Sequence, residues 1–112
     1  MRPVSKGLRT FNQAINLFRD LDPEMQAQTM SVFITIASAA EDISMQEIIT
    51  ATGLASSSVS RNVAALSKVH RLGKDGHNLV EAYEDPAERR RKLVRLTPTG
   101  RTFTTRLQTI MG

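Results

Sequence analysis

Apolar positions recur along the chain with two different periods, and the change of period divides it. From Ser5 to Arg19, the residues Leu8, Phe11, Ile15 and Phe18 are spaced by three and four, the stripe of one helical face. Asp22-Pro23 then offers an N-cap followed by proline at the first helical position, and Met25, Thr29, Val32, Phe33 and Ile36 carry a second helix towards Ala40. After the acidic link Glu41-Asp42-Ile43, Ser44 with Glu47 three residues later has the spacing of a capping box, ahead of Ile48, Ile49 and Thr52. This third helix is short and is expected to stop at Gly53, where a tight turn between steeply crossed helices needs positive φ. Leu54 can plug the corner. A fourth helix is predicted from Ser56 to about Lys68, burying Val59, Val63 and Leu66.

The opposite edge of that fourth helix carries Ser57, Ser60, Arg61, Ala64 and Lys68, small or cationic side chains that leave a face slim enough to approach base edges. The period then shortens. Leu79-Val80-Glu81-Ala82-Tyr83 is rich in strand formers, and Lys92-Leu93-Val94-Arg95-Leu96 alternates charged with apolar residues. Between them, Glu84 to Arg91 contains Pro86 and the densest positive charge in the chain, which predicts a hairpin with a cationic tip. Thr97-Pro98 repeats the cap-and-proline signal, and Phe103, Leu107 and Ile110 form the stripe of a last helix.

These elements predict a mainly α fold with a small β-hairpin: a winged helix-turn-helix with flanking N- and C-terminal helices. At 112 residues with 40% apolar content the chain reads as a single domain with one core. Within it, 1–21 and 98–112 are the terminal helices, 44–68 the helix-turn-helix and 79–96 the wing. The absence of cysteine excludes disulfides and thiolate metal sites. The apolar run from Ser31 to Ala40 falls well short of the ~20 residues that a membrane span needs. A soluble protein of the cytoplasm, associated with the nucleoid of a bacterium or a phage-infected cell, is expected.

Charge sharpens the picture. The net charge is +4, but residues 1–60 hold four basic side chains against six acids and residues 61–112 hold eleven against five. The halves therefore carry −2 and +6, and a polyanion would meet the second one. His70 and His77, with Asp75 nearby, match no metal-ligand spacing, so no metal and no cofactor is expected. His70, Arg71 and Lys74 are candidates for touching a nucleic-acid backbone instead. No serine lies in a nucleophile-elbow sequence, and an enzyme is not expected.

Glu88, Arg90, Leu96-Thr97 and Gly100 resemble the wing signature of the MarR family: an acidic residue, an arginine two places on, then Leu-Thr and a glycine at set distances. Glu88 stands where the family usually has aspartate, and Asp85-Pro86 with Arg89-Arg90 is similar to the family's hairpin tip. The run from Gly53 to Arg61 is similar to its turn and recognition helix. The resemblance spans roughly residues 30 to 105. Two differences stand beside it: the link from Leu66 to Asp85 is longer than the family's, and the terminal helices, which in the family build the dimer and shape an effector pocket, are shorter.

Together the residues and the resemblance imply sequence-specific binding of double-stranded DNA by a homodimeric transcriptional regulator, a repressor on an inverted repeat. The expected DNA-binding residues are Ser56, Ser57, Ser58, Ser60, Arg61 and Lys68 on the helix and Arg89, Arg90, Arg91 and Lys92 on the wing. Arg61 is the candidate for bidentate contact with guanine. Glu88 and Arg90 are expected to pair and fix the turn, leaving Arg89 and Arg91 to reach phosphate or the minor groove. A small-molecule effector is left open. A replication, partition or phage accessory factor with the same wing, and an adaptor that uses the basic wing to hold an acidic protein, remain the alternatives.

Overall fold

The computed structural model describes residues 5–68 and 75–112. Helix α1 (Lys6–Leu21) starts where Ser5 Oγ accepts the Leu8 amide at 3.1 Å. Its stripe divides along its length. Phe18 is buried together with Ala14 and Leu17, whereas Leu8 and Phe11 remain 63% and 58% exposed.

Asp22-Pro23 does not start the next helix. Asp22 and Met25 close a β-turn, with the Met25 amide donating to the Asp22 carbonyl at 3.0 Å and proline at the second position, where its fixed φ suits the turn. The Asp22 carboxylate accepts the Glu24 amide at 2.9 Å. This turn delivers Met25 into the core, and helix α2 (Ala27–Ser38) begins only afterwards, behind Gln26, without a side-chain cap.

Strand β1 (Ile43–Ser44), which no pattern announced, leads into α3 (Met45–Thr52). The capping box is formed: Glu47 N donates to Ser44 Oγ at 3.1 Å, and Ser44 N donates to Glu47 Oε1 at 3.2 Å. Gly53 closes the helix at φ 71°, its amide on the Ile49 carbonyl at 2.9 Å. Helix α4 (Ser56–Leu66) follows, ending before Lys68, and then strands β2 (Val80–Glu84) and β3 (Lys92–Leu96) and helix α5 (Pro98–Met111). The antiparallel sheet has the order β1-β3-β2, with Val80 opposite Leu96, Ala82 opposite Val94, and Ile43 on the other side of Val94.

One core joins helices and sheet. Phe33, Ile48, Leu66, Leu79, Val32, Val59, Val80 and Val94 are fully buried. Phe18, Phe33 and Phe103 bring α1, α2 and α5 together, their ring centroids 5.1 to 5.9 Å apart.

Thr97 stitches the start of α5 to the foot of the wing. Its hydroxyl donates to the Asn78 carbonyl at 2.7 Å and accepts the Gly100 amide at 2.9 Å, while its own amide donates to the Leu79 carbonyl at 3.0 Å. The helix sits so close that a Cβ on Gly100 would lie 1.9 Å from the Leu79 carbonyl oxygen. The Leu-Thr and glycine spacing noted in the sequence thus has a local physical cause. Among the described residues no helix is long and apolar enough to cross a membrane.

Candidate nucleic-acid interface

The two candidate surfaces are the outer face of α4 and the tip of the β2–β3 hairpin. Ala55, not a serine, occupies the N-cap position of α4 and makes no side-chain cap. Ser56 and Ser57 therefore begin the helix with hydroxyls that the cap does not use. Ser56, Ser57, Ser60 and Arg61 are exposed, and Val59, Val63 and Leu66 are buried on the far side, as the periodicity implied.

Ser58 is placed differently from its neighbours. It is half-buried at the flank of the helix, where its hydroxyl accepts from Arg61 Nη2 at 3.4 Å. Lys68 is exposed but not on the helix, because Ser67 caps α4 and turns the chain away. The expected cationic position three turns along the reading face is thereby lost. His70, Arg71 and Lys74 lie outside the described residues.

The wing tip is held by its backbone. Asp85 N donates to the Arg91 carbonyl at 2.8 Å, Glu88 N to the Asp85 carbonyl at 3.2 Å, and Arg91 N to the Glu88 carbonyl at 2.9 Å. The last of these closes a β-turn with Arg89 and Arg90 as its two central residues. Side chains at central turn positions point outwards, and both arginines are exposed. The expected Glu88–Arg90 ion pair is not formed. Among the described residues, neither Arg89 nor Arg90 is ion-paired.

Arg91 is the arginine that is tied down. Its Nη2 donates to Glu47 Oε1 at 2.9 Å, and its Nη1 lies 3.9 Å from Asp85 Oδ2. Hydrogen bonding from Ser44, with the Arg91 charge adding to it, holds the Glu47 carboxyl below the usual glutamate range against the opposing effect of partial burial. Lys92 is exposed at the start of β3, opposite Glu84.

Two further groups were not marked by sequence reasoning. On the outer face of the sheet the Tyr83 hydroxyl donates to Asp42, and that hydrogen bond raises the phenol above its ordinary pKa. Arg95 stacks over the Tyr83 ring at 4.5 Å and donates to Glu81 at 2.6 Å. These side chains strap β2 to the segment before β1 across the middle strand. Inside, Thr29 and Asn62 form a buried polar pair between α2 and α4. An asparagine among Val59, Val63 and Leu66 was the one visible signal of it.

The arrangement offers a slim, hydroxyl-rich helix face carrying one arginine, and beside it a turn that presents two more. Groups of the first kind suit base edges, and those of the second suit phosphates.

No family model and no curated protein matches the sequence. Solved structures do match the fold. The S. aureus MepR–DNA complex superposes with a TM-score of 0.72 at 16% identity, covering 91% of this chain and 76% of that one. Bordetella bronchiseptica BpsR, whose DNA binding is regulated by 6-hydroxynicotinic acid, gives 0.62 at 22% identity over 91% of this chain and 72% of that one. A MarR-family transcriptional regulator from Rhodococcus sp. RHA1 gives 0.62 at 20% identity over 92% and 68%. The chain thus has the winged helix-turn-helix fold of the MarR-family regulators.

Proposed function

We propose that the chain is a MarR-family transcriptional regulator that binds double-stranded DNA through α4 and the wing, as a homodimeric repressor on an inverted repeat in the cytoplasm. The observation that carries this reading is the pairing of two exposed surfaces. Ser57, Ser60 and Arg61 form the outer face of α4, and Arg89 and Arg90 occupy the center of the wing turn. MepR, with the same fold, has been solved on DNA. In this division of labour the wing arginines supply affinity and salt dependence, and the helix supplies sequence choice.

The homodimer is supported by the terminal helices. Leu8 and Phe11 on α1 and Met111 on α5 are each more than half exposed, and Ile15, Leu107 and Ile110 beside them are only partly covered. Apolar side chains of this size on two flanking helices suit an isologous two-fold contact.

Selection of bound sequences from a random duplex pool tests the reading. The expected product is a palindrome whose half-sites lie one helical turn, ~34 Å, apart. Log affinity is expected to fall linearly with log salt, and a slope near zero would overturn DNA binding, because neutralised phosphates must release counterions.

A further inference from the structure

Asn62 occupies a position where the pattern of α4 calls for an apolar residue. It lies on the buried edge with Val59, Val63 and Leu66, and asparagine is a poor residue for a helix interior. Both polar atoms of its amide nevertheless have a partner. Thr29 Oγ1 on α2 donates to Asn62 Oδ1 at 2.6 Å, and Asn62 Nδ2 donates to the Ser58 carbonyl at 2.9 Å. Thr29 and Asn62 are only 7% and 8% exposed, and no described side chain holds a buried polar atom without a partner.

We infer that the Thr29–Asn62 pair is the positioning device of the DNA-reading helix, setting the roll and register of α4 on α2 and hence sequence discrimination. The inference rests on the DNA-binding reading above. Apolar packing is non-directional, and on this flank it is incomplete. Here α4 borders an open cleft of about 460 Å³, lined among others by Asp22, Gln26, Arg61 and His77. Val59, Val63 and Leu66 hold the other flank, and on the cleft side, which Thr29 and Asn62 themselves line, the directional restraint is the hydrogen-bonded pair: a roll or a one-residue slide, ~1.5 Å, breaks it.

The clamp also acts at the right place. Ser58, whose carbonyl Asn62 holds, is the residue whose hydroxyl accepts from Arg61, so the turn that presents Ser57, Ser60 and Arg61 is the turn that is fixed. Bidentate contacts with base edges need that geometry, whereas phosphate contacts from a wing arginine tolerate its loss. Thr29 and Asn62 are accordingly positioning residues without a DNA contact of their own.

The test uses the full chain carrying Thr29→Val with Asn62→Leu, which removes both polar groups and leaves no orphan, beside Thr29→Ser, which keeps the hydroxyl. The duplex selected by the wild type and a scrambled duplex are titrated over a range of salt, with thermal unfolding as a check on folding. The double variant is expected to lose about tenfold in the ratio of the two affinities, while its affinity for scrambled DNA and its salt slope stay as in the wild type. Thr29→Ser is expected to keep the ratio. If the double variant does not fold, Thr29→Val alone takes its place with the same expected loss. An unchanged ratio in a folded variant, or an equal loss on both duplexes, overturns the inference. A wild type that selects no sequence overturns the sequence-specific reading and the inference with it, and that outcome is read before any variant is made.

Discussion

Arg91 donates to the same Glu47 carboxylate that accepts the Ser44 amide at the start of α3, so the tip of the wing and the entry to the helix-turn-helix share one anchor. Arg89 and Arg90, next to it in sequence, face solvent. Adjacent arginines thus do different work, and variants separate them. Arg89→Ala or Arg90→Ala is expected to weaken binding to all duplexes about equally and to reduce the salt slope by about one. Arg61→Ala is expected to cost roughly 1 to 3 kcal/mol on the preferred duplex alone. Titrations on preferred and scrambled duplexes at several salt concentrations read both effects, and a wing variant that changes only the preferred affinity would refute the assignment.

The shared anchor is acid-sensitive. Glu47 titrates below its ordinary value in the folded chain, so the unfolded chain binds its proton more tightly. Its stabilising effect is therefore complete above the unfolded pKa and is lost as pH falls through the folded one. In urea unfolding, the gap between wild type and Glu47→Gln is expected to be largest near neutral pH and to close below about pH 4. A gap that stays constant down to pH 3 would count against the anchor.

Two glycine substitutions should differ in size for different reasons. Gly100→Ala forces a methyl to within 1.9 Å of the Leu79 carbonyl oxygen, a backbone atom that moves only with the foot of the wing. A loss of about 1 to 3 kcal/mol or more is expected. At Gly53 no atom lies within 4 Å of an added Cβ, and the cost is the positive φ of 71° alone, about 1 kcal/mol. Chemical denaturation of the two variants orders them, and an equal or reversed order would contradict the packing described.

Phe11→Ser tests the proposed homodimer. Phe11 is largely exposed within one chain, so its replacement is expected to leave the fold intact while shifting the mass in solution from dimer towards monomer. Sedimentation or light scattering over a concentration series reads this. Affinity for a duplex with two half-sites should fall together with the dimer.

Where local chemistry decides the structure, the sequence was readable. Ser44 with Glu47, Gly53, Thr97-Pro98 and the alternation from Lys92 to Leu96 all form what their spacing implied. Legibility failed where a distant partner decides. Asp22-Pro23 suits a helix start or a β-turn equally well, and the burial of Met25 selects the turn. Strand β1 has two residues, too few to show a period, and exists because β3 offers it a ladder. Glu88 and Arg90 looked like a pair because they are near in sequence, but turn geometry points Arg90 outwards and gives the ion pair to Arg91 and a carboxylate 44 residues away. Asn62 was visibly out of place on a buried edge, and only the fold supplies Thr29, 33 residues earlier, as its partner.

The order of the sheet has a consequence for a protein that would crowd side by side along a nucleic acid. With β1 covering one side of β3, the outer side of β2 is, among the described residues, the long unpaired edge. That edge bears the exposed carboxylates Glu81 and Glu84. Glu81 is held by Arg95, while Glu84 is in no ion pair among the described residues, and a charged side chain on an open edge disfavours runaway strand pairing between copies. The short strand ahead of α3 and the charged edge of β2 thus disfavour edge-to-edge pairing between wings that the proposed DNA binding would bring close together.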